Sequence, residues 1–235
     1  PAEIPEDINA FKNQQFRWAK GSIQTAIKII PLLRQKKMSK FKFAQAVLHL
    51  THYMVHPLML ILAMLTMPVL YFVKVNLPIA WFACIIGCMI LATSGPATMY
   101  MVAQHFIGNR ILKQLVLIPA MMLIGTGLAV NNGKAVIEAL IKRESPFYRT
   151  PKKGQLRGTQ GYRPVKDITC IIEIVIGLYC LASFQIFLGY TNFLVSPFLM
   201  LYASGFLFVG VISIVHFRKP DLIDFKLKMQ NATER

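Results

Sequence analysis

Four long apolar stretches constrain the fold of this chain more than any other feature of its sequence. They cover residues 48–73, 77–102, 168–188 and 194–217. A transmembrane helix needs about 20 mostly apolar residues, so each stretch is long enough to cross a bilayer. We therefore predict an all-α membrane protein with about four transmembrane helices, joined to amphipathic helices that lie at the cytosolic interface.

The distribution of positive charge predicts which connecting segments are cytosolic. Nine cations precede residue 48, and nine more lie within residues 131–166 together with only two anions. Because cytoplasmic loops are enriched in Lys and Arg, both segments are assigned to the cytoplasm, and the two termini with them. An even number of crossings must then separate the segments. A fifth apolar stretch, residues 111–130, is accordingly expected to lie along the membrane or dip into it.

These two patterns divide the chain into six segments. They are cytosolic interface helices at 1–47, a first transmembrane pair at 48–103, an interface or re-entrant helix at 104–144, a basic loop at 145–167, a second transmembrane pair at 168–217 and a cytosolic tail at 218–235. In the third segment, charges at Lys134, Glu138 and Lys142 recur every four residues between apolar ones. This pattern is typical of a surface helix with its apolar face in the membrane, and a helix packed on a soluble domain is the alternative.

The composition also limits the partners. Hydrophobic residues make up 55% of the chain, and its net charge is +16. Because the cations accompany a mostly apolar chain, we expect the lipid bilayer as a partner and no nucleic acid.

A polar segment near the start of the chain carries three side chains suited to a sugar nucleotide. Pro5 and the two acids that follow it are typical of a helix start. In the helix beyond, Gln14, Arg17 and Trp18 are spaced i, i+3 and i+4, so they project from one face. Arg binds phosphate oxygens with paired hydrogen bonds, and an indole offers a flat apolar surface to a sugar ring. From spacing alone, an amphipathic helix with Trp18 at the membrane interface is the favoured interpretation.

A resemblance to a known family changes that interpretation. Residues 14–18 read Gln-Gln-Phe-Arg-Trp, which resembles the Q-[QR]-x-R-W motif of processive family 2 glycosyltransferases, the group that includes cellulose and mannan synthases. In that family the motif lies on a cytosolic interface helix just before a pair of transmembrane helices. This is also its predicted position here.

A second stretch of the chain resembles the gating-loop motif FxVTxKG of bacterial cellulose synthase. Residues 147–154 read Phe-Tyr-Arg-Thr-Pro-Lys-Lys-Gly, so Phe147, Thr150 and Lys152 match the motif. Arg149 replaces its valine, and an additional lysine moves the glycine to position 154. The resemblance therefore covers nearly the whole chain in order, from the motif helix through two spans, an interface helix and a gating-type loop to two more spans.

The resemblance implies that the full-length protein is an inverting glycosyltransferase. It would transfer sugar from a nucleotide sugar to a growing polysaccharide, the glycan acceptor, and form the channel for its translocation. By the same resemblance, Gln14 and Arg17 would bind the diphosphate, and Trp18 would stack on the acceptor sugar. The residues expected to close over the bound nucleotide are Phe147, Thr150 and Lys152.

The catalytic residues of the family are expected outside this chain. They include an acidic base and a DxD pair that holds a divalent metal on the diphosphate, and no DxD occurs here. We therefore expect an upstream glycosyltransferase domain that binds Mg or Mn, and no catalytic or metal-binding residue in this chain, which should be inactive alone. The expected location is the bacterial inner membrane. The alternative interpretation is a multi-span transporter or flippase-like channel with basic cytosolic loops and no catalytic domain.

Two polar features within the predicted spans have open roles. Glu173 is an acid inside an apolar stretch, where a carboxylate is a functional candidate by default. It is expected either to hydrogen-bond sugar hydroxyls in a channel or to join two helices. His49, His52 and His56 are spaced i, i+3 and i+7. A polar seam along the bundle interior or a glycan path is favoured for them over a metal site.

Overall fold

The computed structural model of the protein describes residues 5, 7–72, 79–108, 115–145, 168–189 and 196–233. Every secondary-structure element in these ranges is a helix, which confirms the predicted all-helical class. In chain order they are α1 (Ile8–Arg34), α2 (Lys40–Thr51), a 3-10 helix (His52–Met54), α3 (Val55–Phe72), α4 (Ile79–Phe106), α5 (Leu117–Gly127), α6 (Ala129–Leu140), α7 (Thr169–Gly189) and α8 (Ser196–Thr233).

Three helical segments in the described ranges are long and apolar enough to cross a membrane. They are Lys40–Val69, Thr169–Ile186 and Pro197–Phe217. The last two lie within α7 and α8, close to the boundaries expected for the second transmembrane pair. The sequence of α4 contains no Asp, Glu, Lys or Arg. Its crossing of the membrane, and with it a total of four spans, stays a prediction.

Some helix boundaries differ from those expected from hydropathy. α2 begins at Lys40, before the expected span, because Ser39 caps it: the Ser39 hydroxyl accepts a hydrogen bond from the backbone N–H of Lys42 at 3.3 Å. α8 continues to Thr233, through most of the expected tail. The stretch 104–144 contains the separate helices α5 and α6 in addition to the end of α4.

Glycines allow α7 and α8 to approach each other closely. A Cβ atom on Gly177 would lie 2.8 Å from Cγ of Leu207, and one on Gly210 would lie 2.8 Å from Cγ1 of Ile174. Small residues are typical of such contacts between membrane helices. Because residue 177 meets residue 207 and residue 174 meets residue 210, the two helices are antiparallel.

The short helix α5 packs along α8 in the same direction. A Cβ atom on Gly205 would lie 2.8 Å from the carbonyl oxygen of Leu123, and one on Gly127 would overlap Val209. With 11 residues, α5 is about 16 Å long, roughly half the hydrocarbon core of a bilayer. It is therefore too short to cross alone. Because residues 109–114 lie outside the described ranges, the expected dip of this region into the membrane stays a prediction.

A tyrosine joins α7 to α3 where a proline interrupts the hydrogen bonds of α3. Pro68 has no backbone N–H, so the carbonyl of Met64 lacks its usual partner within the helix. The Tyr179 hydroxyl donates to this carbonyl at 2.7 Å and accepts from the N–H of Met67 at 3.3 Å. Inside a membrane such groups need a partner from a neighbouring helix. The contact therefore fixes α3 beside α7.

Candidate functional site

The helix with the glycosyltransferase-like motif, α1, begins where the sequence predicts. The Asp7 carboxylate accepts hydrogen bonds from the N–H groups of Asn9 and Ala10, at 2.7 and 3.0 Å, and so caps the helix. The N–H of Ile8 in the same turn donates to Nδ1 of His216 at 3.1 Å. α1 therefore starts beside the last turn of the candidate span in α8.

A buried ion pair holds α1 against α7. The Nζ atom of Lys12 lies 2.7 and 2.9 Å from the two carboxylate oxygens of Glu173, and 3.4 Å from the hydroxyl of Ser213 in α8. The two charged side chains are 5% and 0% exposed. Of the two roles expected for Glu173, the structure shows the contact between helices. The carboxylate lies in the second turn of α7, which begins at Thr169.

A second buried ion pair holds α1 against α6. The Nζ atom of Lys20 lies 2.9 Å from Oε2 of Glu138 and donates to the hydroxyl of Ser145 at 2.7 Å. The charged side chains are 8% and 11% exposed. Glu138 is thus buried against α1, whereas Ile137 and Leu140 of the same helix are exposed. Val136 and Ala139 of α6 pack on Ile23 of α1 beside this ion pair.

Two buried asparagines of α6 extend these contacts from α1 to α3. Nδ2 of Asn131 donates to the backbone carbonyl of Lys12 at 2.9 Å. Nδ2 of Asn132 lies 3.0 Å from Nε2 of His56. His56 thus belongs to the packing of α3 on α6, whereas the other two histidines of its row are exposed. Among the residues that the structure describes, no group of three His, Cys, Asp or Glu side chains is arranged to hold a metal ion.

Of the three motif residues of α1, Gln14 and Trp18 lie on the side of the helix opposite the two ion pairs, and Arg17 lies between that side and Lys20. Trp18 is 54% exposed, and Gln14 and Arg17 are partly exposed. At about 100° per residue, Gln14 and Trp18 point away from Lys12 and Lys20, whereas Arg17 lies about 60° from Lys20 and lines the same groove as that lysine. We call this surface, formed by Gln14, Arg17 and Trp18, the motif face. α1 therefore has one side that anchors it and one side open to a ligand or partner.

An open groove with basic walls runs beside the motif face. It has a volume of about 860 Å³ and lies between α1 and the end of α6 with the residues that follow it. Five cations and one acid line it, namely Arg17, Lys20, Lys28, Lys142, Arg143 and Glu144. Ser145 also lines this basic groove and is two residues before Phe147 in the sequence. The start of the predicted gating segment is therefore connected to the groove wall.

Lys142 has an unusual backbone conformation at the wall of the basic groove. Its φ angle is 55°, in the left-handed region that favours glycine. Its N–H donates to the carbonyl of Ala139 at 3.2 Å, and the N–H of Arg143 donates to the carbonyl of Glu138 at 2.9 Å. This is the Schellman pattern that ends many helices, usually with glycine at this position. A lysine here costs about 1 kcal/mol relative to glycine.

The remaining predicted site residues, Phe147, Thr150 and Lys152, lie outside the residues that the structure describes. No family model matches the chain, and neither a curated protein nor a solved structure is significantly similar to it. The resemblance to family 2 glycosyltransferases therefore rests on the motif residues alone, of which Trp18 is exposed and Gln14 and Arg17 are partly exposed.

The anchoring role of Lys12 and Lys20 is not among the sequence predictions, which treat both residues only as cytosolic cations. Their positions on the helix nevertheless indicate that they are buried. Both lie on the helix side that also carries Ala19 and Ile23, where an amphipathic helix normally has apolar residues. Lysines on that side need buried acids as partners. The buried asparagines of α6 give no comparable signal, because Asn is mostly exposed in proteins.

Proposed function

We propose that this chain is the membrane-embedded part of an inverting family 2 glycosyltransferase that extends a polysaccharide from a nucleotide sugar and carries it across the bacterial inner membrane. The division of α1 into two sides is the observation that supports this most. Lys12 and Lys20 anchor one side through buried ion pairs. The motif face, with its exposed Trp18, stays open to a catalytic domain. A helix that used Trp18 for packing would bury it.

The motif face offers groups that such a transfer needs for its substrates. When the acceptor hydroxyl oxygen attacks the sugar, the bond from the anomeric carbon to the diphosphate breaks, and negative charge develops on the diphosphate. The guanidinium of Arg17 stabilises that charge with paired hydrogen bonds, and the Gln14 amide is a second ligand. Trp18 stacks on the acceptor sugar and keeps its hydroxyl in line for the attack.

The remaining chemistry belongs to a catalytic domain upstream of this chain. There a carboxylate base would accept the proton of the acceptor hydroxyl, and a DxD pair, which this sequence lacks, would hold Mg or Mn to neutralise charge on the diphosphate. The segment with Phe147, Thr150 and Lys152 closes over the nucleotide. The position of Ser145 in the wall of the basic groove, beside Arg17, supports this role for the segment that follows it.

Polymer synthesis by membrane vesicles that contain the full-length protein tests this proposal. The vesicles are supplied in turn with radiolabelled nucleotide sugars, and the label in polymeric product is counted. Trp18→Ala is expected to lower synthesis by about 10- to 100-fold, because the acceptor is no longer aligned. The matched control, Trp81→Ala, removes the other tryptophan of the chain, which is 63% exposed on α4. It is expected to leave synthesis unchanged.

Two outcomes would contradict the proposal. Near-normal synthesis by the Trp18→Ala protein would show that the motif face does not bind the acceptor sugar. If no nucleotide sugar supports synthesis by the wild-type vesicles, while they take up a labelled sugar or lipid-linked sugar, the transporter or flippase-like alternative replaces it.

A further inference from the structure

Three of the cations that line the basic groove take no part in the ion pairs of α1. Lys28 lines one wall, and Lys142 and Arg143 line the other. In the described part of the chain, none of these three side chains takes part in an ion pair. All three are exposed, and Glu144 is the one acid among the residues that line the groove. Because its charged lining is mostly positive, the groove fits an anionic ligand.

We propose that the basic groove binds the phosphate group of an anionic membrane lipid through Lys28, Lys142 and Arg143. This site goes beyond the proposed glycosyltransferase function and does not depend on it, because its ligand is a component of the surrounding bilayer and not a substrate. Arg143 binds two phosphate oxygens at once, whereas each lysine contributes a single ammonium charge. Opposed walls of one charge concentrate the potential between them.

The apolar surroundings of the groove favour a lipid over a soluble phosphate compound. Ile27 is exposed and lines the groove itself. On α6, Ile137, Leu140 and Ile141 are exposed at positions i, i+3 and i+4, immediately before the basic residues. Acyl chains gain from contact with such residues, whereas a free nucleotide or inorganic phosphate does not. An apolar edge beside a cluster of cations is the pattern of a protein surface at lipid headgroups.

The chain connectivity places the groove near the bilayer surface. α1, which forms one wall, ends at Arg34, and the first candidate span begins at Lys40. Only a short connection therefore separates the groove-lining helix from a membrane-crossing segment.

The backbone conformation of Lys142 makes this residue suitable for a test substitution. Glycine would fit the left-handed conformation of Lys142 at lower cost, so a Lys142→Gly substitution introduces no backbone strain. The same feature makes Lys142→Gly a favourable test substitution, since it removes the charge and leaves the end of α6 in a conformation that glycine prefers.

Lipid titration of the purified full-length protein tests the site. The protein in detergent is titrated with fluorescent phosphatidylglycerol, and with fluorescent phosphatidylcholine for comparison. Lys28→Gln with Lys142→Gly is expected to weaken phosphatidylglycerol binding by about 25-fold, roughly fivefold for each cation removed. The matched control, Lys37→Gln with Lys36→Gly, removes two exposed cations outside the groove. It is expected to weaken binding by less than about twofold.

Two other results of this titration would overturn the proposal. Equal losses in the two double variants would mean that charge anywhere on this surface attracts the lipid. Unchanged phosphatidylglycerol binding, together with weaker binding of uridine diphosphate by the groove variant, would assign the groove to a soluble phosphate compound. The result for Trp18→Ala in polymer synthesis is measured separately, so failure of the lipid site and failure of the proposed function are distinguishable.

Discussion

The two ion pairs of α1 have the same chemistry and different surroundings. Lys12 and Lys20 are about 12 Å apart along the helix axis. Lys12 meets Glu173, in a helix long and apolar enough to cross a membrane. Lys20 meets Glu138 in the amphipathic helix α6 and also donates to Ser145. The first pair is more deeply buried, and the hydroxyl beside its lysine is more distant: Ser213 lies 3.4 Å from Lys12, whereas Ser145 lies 2.7 Å from Lys20.

This difference indicates two functions for the same interaction. A carboxylate in an apolar span is costly without a cation beside it, so the first pair specifies where α1 sits on the bundle. The second pair lies beside the basic groove, and Ser145 links it to the segment expected to close over a nucleotide. The first pair therefore positions the whole motif face, whereas the second pair holds one wall of the groove.

The largest effect is expected for Glu173→Ala. This change leaves the Lys12 ammonium buried without its carboxylate, which should lower the free energy of unfolding by about 3–5 kcal/mol. Denaturation of the protein in detergent measures this loss. The control, Glu144→Ala, removes an exposed acid and should change the free energy by less than about 0.5 kcal/mol. A loss below about 1 kcal/mol for Glu173→Ala would mean that the pair does not anchor α1.

Removing both charges of the first pair should restore most of the lost stability. In Lys12→Met with Glu173→Met no buried charge remains, and the free energy of unfolding should lie within about 1 kcal/mol of the wild-type value. Polymer synthesis by the same variant should stay reduced, because α1 loses the contact that fixes its position. Full stability together with full synthesis would show that packing alone positions the motif face.

The regular elements of this fold could be predicted from sequence because they depend on local patterns. Apolar length predicts the helices α7 and α8, and the acids after Pro5 predict the start of α1, where Asp7 is the cap. The spacing of the motif residues predicts their common face. Each of these inferences uses residues that are close together in the chain.

The anchoring of α1 could not be predicted in the same way, because its partners are distant in sequence. Lys12 and Glu173 are 161 residues apart, and Lys20 and Glu138 are 118 apart. The regular charge spacing of α6 is compatible with a solvated face, although Glu138 is buried. Only the three-dimensional packing distinguishes an acid that faces water from one that faces a lysine of α1.

A smaller loss is expected when the second pair is broken. Glu138→Ala removes one charged hydrogen-bond partner of Lys20, which should cost about 1.5–3 kcal/mol. The loss should be below that of Glu173→Ala because the second pair is less deeply buried and the Ser145 hydroxyl remains 2.7 Å from its lysine, whereas Ser213 is 3.4 Å from Lys12. The same denaturation measurement compares the two variants directly. Equal losses, or a larger loss for Glu138→Ala, would contradict the difference between the two anchoring points.

The smallest change in stability is expected on the motif face. Trp18 is exposed on the side of α1 that faces away from both ion pairs, so Trp18→Ala should change the free energy of unfolding by less than about 0.5 kcal/mol. The same substitution is expected to remove most polymer synthesis, whereas Glu173→Ala should reduce stability and synthesis together. These two profiles separate a residue that contacts substrate from one that positions the helix. A loss of stability above about 1 kcal/mol for Trp18→Ala would mean that the indole packs within the protein, and the motif face would then not be an open binding surface.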